Sequence, residues 1–169
     1  IAHKNITRLF DATHDVFQFH NNDVWSFFHS YAFDFSIWEI FGALLHGGRI
    51  VIVSYLTSRS PEEFYQLLER EQVTMLSQTP SAFKLLLTAY QHRSNLDKLR
   101  YIFFGGEKLE PSVCKIWFDS IPKNHTKLIN MYGITETTVH VTYHEITPDA
   151  ANDKVSNIGI PLNDLSVYL

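Results

Sequence analysis

The chain has 169 residues, of which 45% are hydrophobic, and this is enough for a single domain with a buried core. Its formal net charge is -4, from 14 basic and 18 acidic residues, and this balance argues against a nucleic-acid-binding surface. No apolar run approaches the length of a membrane span, so we expect no membrane insertion. The single cysteine, Cys114, cannot form an internal disulfide, which favours a reducing, cytoplasmic setting.

The first third of the chain shows the patterns of helices and strands in turn. Helical spacing of apolar residues predicts a helix over 5–14, and an aromatic-rich strand is predicted at 24–28. Ser36 is a plausible N-cap for a buried helix over 37–45. Gly47-Gly48 would end that helix, because glycine readily adopts the left-handed conformation of a helix C-terminus.

The alternation continues to the end of the chain. The β-branched run 49–53 is typical of a strand that is covered on both faces. Ser60 as N-cap, Pro61 at the first helical position and Glu63 three residues after the cap predict a helix that runs to about Glu71. Further strands are predicted over 73–77, 99–104, 127–130 and 138–146, with helices over 80–90 and 111–120 and a polar loop over 148–157. This order predicts an α/β fold with a mostly parallel sheet and helices on both faces.

Polar residues cluster where several predicted strands end. Ligands of open parallel sheets bind at the carboxyl ends of the strands, so these clusters are candidate binding segments. They are 77–80, 104–107 and 130–138, and a fourth segment, 33–36, opens the helix that contains Trp38.

The segment 130–138 carries the most specific chemistry. Tyr132 offers a flat face for a purine, Thr135 offers a hydroxyl to a phosphate, and Glu136 offers a hard oxygen to Mg²⁺. Together they would hold a nucleotide and its metal. An ordinary polar loop between two strands is the alternative explanation of the same residues.

Other candidates also have plainer explanations. Gly105-Gly106 alone is consistent with a simple turn, and Asp34 is either a helix N-cap partner or a buried carboxylate that awaits a cation. His140 and His144 share one predicted strand face but would lie roughly 13 Å apart, which is too far for a single metal ion. Packing in the core is the expected role of Trp25, Trp117 and Cys114.

Four segments, in this order, resemble the core motifs of amino-acid adenylation domains of nonribosomal peptide synthetases, which belong to the adenylate-forming superfamily. They are Phe33-Asp34-Phe35-Ser36, Phe104-Gly105-Gly106-Glu107, Asn130-Met131-Tyr132-Gly133-Ile134-Thr135-Glu136 and Asn157-Ile158-Gly159-Ile160-Pro161-Leu162. The resemblance covers essentially the whole chain, although Ile134 stands where Pro is commoner. It implies that residues 1–169 form a single flavodoxin-like subdomain, an internal fragment of a larger adenylation domain.

The resemblance also implies which functional parts lie elsewhere. The phosphate loop of the family would precede Ile1, and the ribose-binding Asp, the hinge and the small C-terminal subdomain would follow Leu169. We therefore expect the 169 residues by themselves to be inactive or nearly so.

The resemblance further implies a role for each matching residue. Asp34 would bind the α-ammonium of an amino-acid substrate, Tyr132 would stack on the adenine of ATP, Thr135 would contact the α-phosphate, and Glu136 would bind Mg²⁺. The side-chain pocket would be lined by Phe35, Trp38, Ser77, Phe103, Gly105, Met131, Val139 and His140. The remaining contacts to ATP would come from Gly106, Glu107, Asn130 and Gly133.

The implied reaction is attack of the substrate carboxylate on the α-phosphorus of MgATP, which gives an aminoacyl-adenylate and pyrophosphate. The carrier-protein domain of the same synthetase would be the partner. The pocket residues resemble a threonine-selecting set, apart from Ser77 and Phe103, and Ser77 and His140 would hydrogen-bond a short hydroxyl-bearing side chain. We therefore expect threonine, with serine or a short diamino acid as alternatives, and valine if steric crowding alone selects.

Two other functions compete with amino-acid activation. A fragment of an acyl-CoA or aryl-acid ligase would share the fold, but its substrate has no ammonium group to pair with Asp34. A noncatalytic α/β interaction module would not need the cluster of Tyr132, Thr135 and Glu136.

Overall fold

The computed structural model describes residues 1–90, 96–120 and 125–168. Its helices are α1 (His3–Phe17), α2 (Phe35–Leu44), α3 (Tyr55–Arg59), α4 (Pro61–Arg70), α5 (Pro80–Tyr90) and α6 (Pro111–Ser120). Its strands are β1 (Val24–Phe27), β2 (Arg49–Ile52), β3 (Met75–Gln78), β4 (Tyr101–Phe104), β5 (Lys127–Tyr132), β6 (Thr142–Ile146) and β7 (Ile160–Pro161). Short 3₁₀ turns are formed by Thr135–Thr137 and Ala150–Asn152.

All seven strands lie in one sheet, in the order β2-β1-β3-β4-β5-β6-β7. The first five strands are parallel and follow the 2-1-3-4-5 order of flavodoxin-like folds. Strands β6 and β7 extend the sheet in antiparallel pairing. The structure therefore confirms the predicted α/β fold and its mostly parallel sheet.

Each face of the sheet carries its own apolar core, because successive side chains of a strand point to opposite faces. The core under α1 and α2 contains Leu9, Phe10, Phe17, Trp25, Phe35, Trp38, Met75, Tyr101, Phe103, Ile129, Met131 and Val139. The core under α4, α5 and α6 contains Phe64, Tyr65, Leu68, Leu76, Phe83, Leu86, Ile102, Phe104, Cys114, Trp117 and Leu128. Both tryptophans and the cysteine that were predicted to be packing residues are thus buried in these cores.

The predicted helix signals agree well with the observed helices. The Ser60 hydroxyl accepts a hydrogen bond from the Glu63 backbone N–H at 3.4 Å, and Pro61 is the first residue of α4. Gly47, with φ of 70°, supplies the left-handed residue after α2. These local rules hold because caps satisfy backbone groups that a helix end leaves unpaired.

Two local predictions near the first strands are wrong. Ser36 is not an N-cap, because it lies inside α2. The helix begins at Phe35, two residues before the predicted start, and Ile37 N–H donates to the carbonyl oxygen of Asp34 at 2.9 Å. The run 49–53 is not covered on both faces, since β2 is the edge strand and the Ile52 side chain is 74% exposed. A β-branched run reads alike at the edge and at the centre of a sheet, so only the topology separates the two.

The predicted strand over 138–146 is too long at its start. Thr138 and Val139 adopt left-handed backbone conformations, with φ of 68° and 65°, and β6 begins only at Thr142. His140 therefore does not share a strand with His144, and the predicted separation along one strand does not apply.

Asp23 holds the amino-terminal edge of the sheet together. Its fully buried carboxylate accepts hydrogen bonds from Arg100 Nη1 at 2.6 Å, from the Thr74 hydroxyl at 2.9 Å and from His20 N–H at 2.9 Å. Arg100 also donates to the carbonyl oxygen of Gln18 at 3.0 Å. One carboxylate thus joins the segment after α1 to the starts of β3 and β4.

We predict that Asp23→Ala lowers the free energy of unfolding by about 3 kcal/mol, because it leaves the Arg100 guanidinium without its buried partner. The matched control is Asp164→Ala, which breaks the partly exposed pair with Arg8 and is expected to cost less than about 1 kcal/mol. Urea unfolding of both variants measures the difference. Equal losses would contradict the role given to Asp23.

Candidate functional site

The carboxyl ends of the parallel strands bring the predicted binding segments to one edge of the sheet. Ser77 pairs with Phe103, and Phe103 pairs in turn with Ile129. Strands β3 and β4 end one residue beyond this row and β5 ends three residues beyond it, so segments 77–80, 104–107 and 130–138 converge there. The loop before α2 meets the last of these through a hydrogen bond from Thr135 Oγ1 to Asp34 Oδ2 at 2.7 Å.

A first cavity of about 260 Å³ lies at this edge. Its walls include many of the residues that were predicted to bind substrate or phosphate: Asp34, Phe35, Gly105, Gly106, Met131, Gly133, Thr135, Glu136, Val139 and His140. Phe33 and Ile134 also line the cavity, although the sequence predicted no role for them. A cavity of this size suits a small ligand.

Three predicted pocket residues lie beneath this cavity and do not line it. Trp38, Ser77 and Phe103 have no exposed surface, and Trp38 packs edge-on against His140, with ring centroids 5.0 Å apart. Phe103 in turn packs against Trp38 at 5.3 Å. Whether a residue lines the cavity or lies buried beneath it depends on how the core packs, and the spacing of the motifs alone does not show this.

Several polar atoms in this region are buried without a hydrogen-bond partner among the described residues. They are Trp38 Nε1, Ser77 Oγ and His140 Nε2. Most buried polar groups in folded proteins have a partner, so such a group calls for an explanation. A ligand that brings its own hydroxyl or amine is one way to satisfy atoms of this kind.

His140 is uncharged in this site. Only 3% of His140 is exposed, and burial lowers its pKa from the ordinary value of 6.5 to about 3. A neutral imidazole offers one N–H donor and one acceptor nitrogen. The site therefore presents His140 as a neutral hydrogen-bonding group.

Asp34 is a carboxylate at the wall of the cavity. It occupies the N-cap position of α2, but its side chain makes no capping hydrogen bond and is bonded to Thr135 instead. The helix N-cap explanation is therefore not supported by the geometry. A half-buried carboxylate that faces a cavity is a natural partner for a cationic ligand group.

Two glycines allow the backbone to pass close to neighbouring groups. A Cβ atom at Gly133 would lie 2.2 Å from the Val139 carbonyl oxygen, so only glycine fits where the chain folds back on itself. A Cβ atom at Gly105 would lie 3.2 Å from the Phe35 ring. Any side chain at position 105 would therefore press on the wall of the first cavity.

A second cavity of about 460 Å³ adjoins the first and shares four residues with it, namely Gly106, Met131, Gly133 and Ile134. Tyr132, which is 50% exposed, lies along this cavity and offers its ring to a flat ligand. Asn130 also lines it, and its side-chain amide donates to the carbonyl of Asn157 at 2.8 Å. The remaining walls include Glu107, Lys108, Leu109, Ser156 and Ile158.

Sequence reasoning missed the contributions of Ser156 and Ile158. The segment 157–162 had been recognised as a family motif, but no role had been given to it. The hydrogen bond from Thr142 Oγ1 to the Ile158 carbonyl and the bond from Asn130 hold this segment over the second cavity. Glu107 lines the second cavity, and its carboxylate also accepts hydrogen bonds from Ser81 N–H at 3.1 Å and Ser81 Oγ at 2.5 Å.

Glu136 suits Mg²⁺ that binds through one carboxylate and the phosphates of a substrate, and does not suit Mg²⁺ held by several protein ligands. Among the described residues, no group of three or more His, Cys, Asp or Glu side chains is placed to hold a metal ion. Mg²⁺ often binds through one or two carboxylates together with substrate phosphates, and it then needs no cage of protein ligands. Glu136 is exposed at the first cavity and makes no ion pair with the described residues, so its carboxylate fits this mode.

None of the helices in the described ranges has both the length and the apolar character required to cross a bilayer.

We predict that His140 makes the folded state sensitive to acid. An unfolded histidine titrates near 6.5, and the folded His140 near 3, so the unfolded chain binds more protons between these values. Stability should therefore fall by about 1.4 kcal/mol per pH unit as the pH drops through this window. Urea unfolding between pH 4 and 7 should show this slope in the wild type and a shallower slope in His140→Gln. The control is the exposed His3→Gln, and equal slopes in the wild type and His140→Gln would contradict the prediction.

Comparison with known proteins gives a consistent family. The family described as AMP-binding enzyme matches residues 1–169. The chain is 53% identical over 173 residues to a dimodular nonribosomal peptide synthase of Bacillus subtilis (strain 168), a match that covers 100% of this chain and 7% of that protein. The chain thus spans a small part of the length of this relative.

Solved structures agree with the sequence relatives. The Vibrio cholerae adenylation domain AlmE, solved in complex with glycyl-adenosine-5'-phosphate, matches with a TM-score of 0.84 and 26% identity, over 96% of this chain and 30% of that one. Holo-PA1221, an NRPS protein containing adenylation and PCP domains, matches with a TM-score of 0.73 and 27% identity, over 85% of this chain and 24% of that one. With a match along its entire length and this sheet topology, the chain belongs to the AMP-binding enzyme family, as a segment of an adenylation domain of the nonribosomal peptide synthetase type.

Proposed function

We propose that this chain forms the amino-acid site and part of the ATP site of a domain that activates an amino acid, with threonine favoured, as an aminoacyl-adenylate for nonribosomal peptide synthesis. The observation that carries the proposal is the pair of adjoining cavities with four residues in common. An amino acid in the first cavity and a nucleotide in the second would meet at this shared wall. The AlmE complex, with an aminoacyl group joined to adenosine phosphate, supports the same pairing of ligands in a related fold.

In this proposal the first cavity orients the amino acid. Asp34 binds the α-ammonium, and the substrate carboxylate is then directed toward the shared wall. Phe35 and Gly105 limit the length of the side chain that fits, because the Phe35 ring stands against the space that a residue at 105 would occupy. Holding two reactants in this way supplies rate through orientation, without covalent catalysis.

The second cavity orients the nucleotide. Tyr132 stacks on adenine, while Asn130 and the backbone of Gly106 contact its edge; Glu107 and Gly133 complete the proposed contacts. Thr135 contacts the α-phosphate, where the substrate carboxylate attacks phosphorus and pyrophosphate leaves. Glu136 holds Mg²⁺, which when bound neutralises charge on the phosphates.

The threonine preference rests on His140, the member of a group of buried polar residues that lines the first cavity. Ser77 Oγ, Trp38 Nε1 and His140 Nε2 have no partner among the described residues. His140, Met131 and Val139 line the cavity and suit a short side chain that carries a hydroxyl, whereas Ser77, Trp38 and Phe103 lie in the layer beneath and would act on the substrate only through the lining residues. A carrier-protein domain as partner is supported by the PCP domain of the related NRPS protein, and a cytoplasmic setting by the single buried cysteine. That the 169 residues alone are inactive also stays a prediction.

The competing functions fit the site less well. An acyl or aryl acid has no α-ammonium, and Asp34 would then lie at the cavity without a cationic partner. A noncatalytic module would have no use for Tyr132, Thr135 and Glu136 at adjoining cavities. Amino-acid activation accounts for all of these residues.

We predict that Glu136→Gln, made in the full adenylation domain that contains this chain, lowers the adenylation rate at least tenfold while leaving the melting temperature nearly unchanged. The side chain is exposed and forms no ion pair within the described part of the chain, so its replacement costs little stability, whereas the amide is a poor ligand for Mg²⁺. ATP–pyrophosphate exchange over a range of Mg²⁺ concentrations measures the effect. The control is Glu110→Gln, an exposed carboxylate before α6, and unfolding of Glu136→Gln would show that Glu136 is structural.

We predict that the same domain exchanges threonine at least tenfold faster than valine, its near-isostere, because valine has no hydroxyl to offer His140 Nε2, which lacks a partner among the described residues. His140→Ala should reduce this preference. The measurement is substrate-dependent exchange with threonine, serine and valine. Valine equal to threonine would refute the hydroxyl argument, and an unchanged preference in His140→Ala would refute the role of His140.

A further inference from the structure

A buried hydrogen-bonded pair, Glu39 and His29, lies directly behind the wall of the first cavity. Glu39 has no exposed surface, and its carboxylate binds His29 twice: Oε2 accepts from the His29 backbone N–H at 3.1 Å, and Oε1 lies 2.9 Å from His29 Nδ1. The pair therefore fixes both the backbone and the ring orientation of His29. Neither residue lines the first cavity, so neither would touch the proposed amino acid.

The His29 ring supports the pocket wall by stacking. Its centroid lies 4.7 Å from that of Phe35, with the planes inclined by 26°. The Phe35 ring also contacts the His140 ring, with centroids 5.3 Å apart and planes at 88°. Phe35 thus packs against both a residue of the pocket and the ring of His29.

Behind His29 the protein is open. His29 is one of the walls of a third cavity, of about 730 Å³, whose other walls include Phe28, Tyr31, Gln78 and Leu86. His29 Nε2 is buried and has no hydrogen-bond partner among the described residues, so nothing there attaches the ring on that side. His29 therefore both stacks on Phe35 and lines this larger space, which Phe35 does not line.

We propose that His29, held by Glu39, is a specificity-determining residue that limits the size of the amino acid by preventing Phe35 from moving back. This inference rests on the proposed function and deepens it. His29 and Glu39 are positioning residues, because they act through Phe35 and do not contact the substrate. The side chains that His29 excludes are those longer than the preferred substrate, such as leucine and methionine.

The test is His29→Asn in the full adenylation domain. The asparagine amide retains a donor for Glu39, so the carboxylate stays paired, but the ring that backs Phe35 is lost. We expect the ratio of exchange with leucine to exchange with the preferred amino acid to rise about tenfold or more, in line with the discrimination that pockets achieve per methylene group. The KM for the preferred amino acid should rise, while the KM for ATP stays unchanged.

Two further variants keep the proposal falsifiable. Glu39→Gln keeps the shape of the side chain that binds His29 but weakens its hydrogen bonds to His29. It should also raise the ratio of leucine exchange to exchange with the preferred amino acid, but by less than His29→Asn does. His46→Ala is the matched control, because His46 also bonds to α2, through Nδ1 to the Gly42 carbonyl at 2.9 Å, but at the helix end away from the cavity. If His29→Asn lowers all rates and leaves the ratio at the value of His46→Ala, the role is purely structural and the inference is wrong.

The two levels of proposal fail in different ways. A wild-type domain that exchanges no amino acid at all would refute the proposed function, and this inference with it. A wild-type domain with a clear preference that neither His29→Asn nor Glu39→Gln broadens would refute only the positioning role.

Discussion

The site depends above all on the parallel pairing of β1, β3, β4 and β5. Parallel strands all end at the same edge of a sheet, and the pairing of Ser77 with Phe103 and of Phe103 with Ile129 keeps those ends level. Segments that are separated by about 30 residues in the chain therefore meet in space. The Asp23 cluster secures the opposite edge, so the strands cannot slide without breaking a buried carboxylate–guanidinium contact.

Because side chains alternate along each strand, the residues near the two cavities point to different faces of the sheet. Ser77, Phe103 and Met131 point to the face of α1 and α2, where the small cavity lies. Phe104 points to the other face, and Asn130, which alternates with Met131, lies along the second cavity. A shift of one residue in any strand would exchange these sets and remove both cavities. The meeting point of the two ligands thus follows directly from strand register.

The sequence was sufficient for most of the fold because the decisive signals are local. The cap at Ser60 and the proline at position 61 determine where α4 begins, whatever the rest of the chain does. Features that depend on contacts between distant parts of the chain could not be predicted from local signals of this kind. The edge position of β2 depends on strand order, and the late start of β6, at Thr142, accompanies the close approach of Val139 to Gly133.

The candidate site divides in the same way between what was predictable and what was not. Motif residues such as Asp34, Tyr132 and Glu136 were found because their chemistry is visible in their own side chains. The burial of Trp38 beneath the cavity, the bond between Thr135 and Asp34, and the support of Phe35 by His29 depend on how distant segments pack. Residues that act through others carry no chemical signature in the sequence.

The left-handed backbone of Thr138 and Val139 lowers the stability of the fold in return for placing Val139 and His140 at the pocket. Side chains branched at Cβ are disfavoured in this conformation, by about 1–3 kcal/mol each, yet the chain must adopt it to turn Val139 and His140 inward against Gly133. Substitution by asparagine or glycine would relieve the strain and raise stability, but it would also free the turn to take other shapes. Selection for heat resistance would therefore favour changes at these two positions, and it would erode substrate selection as it did so.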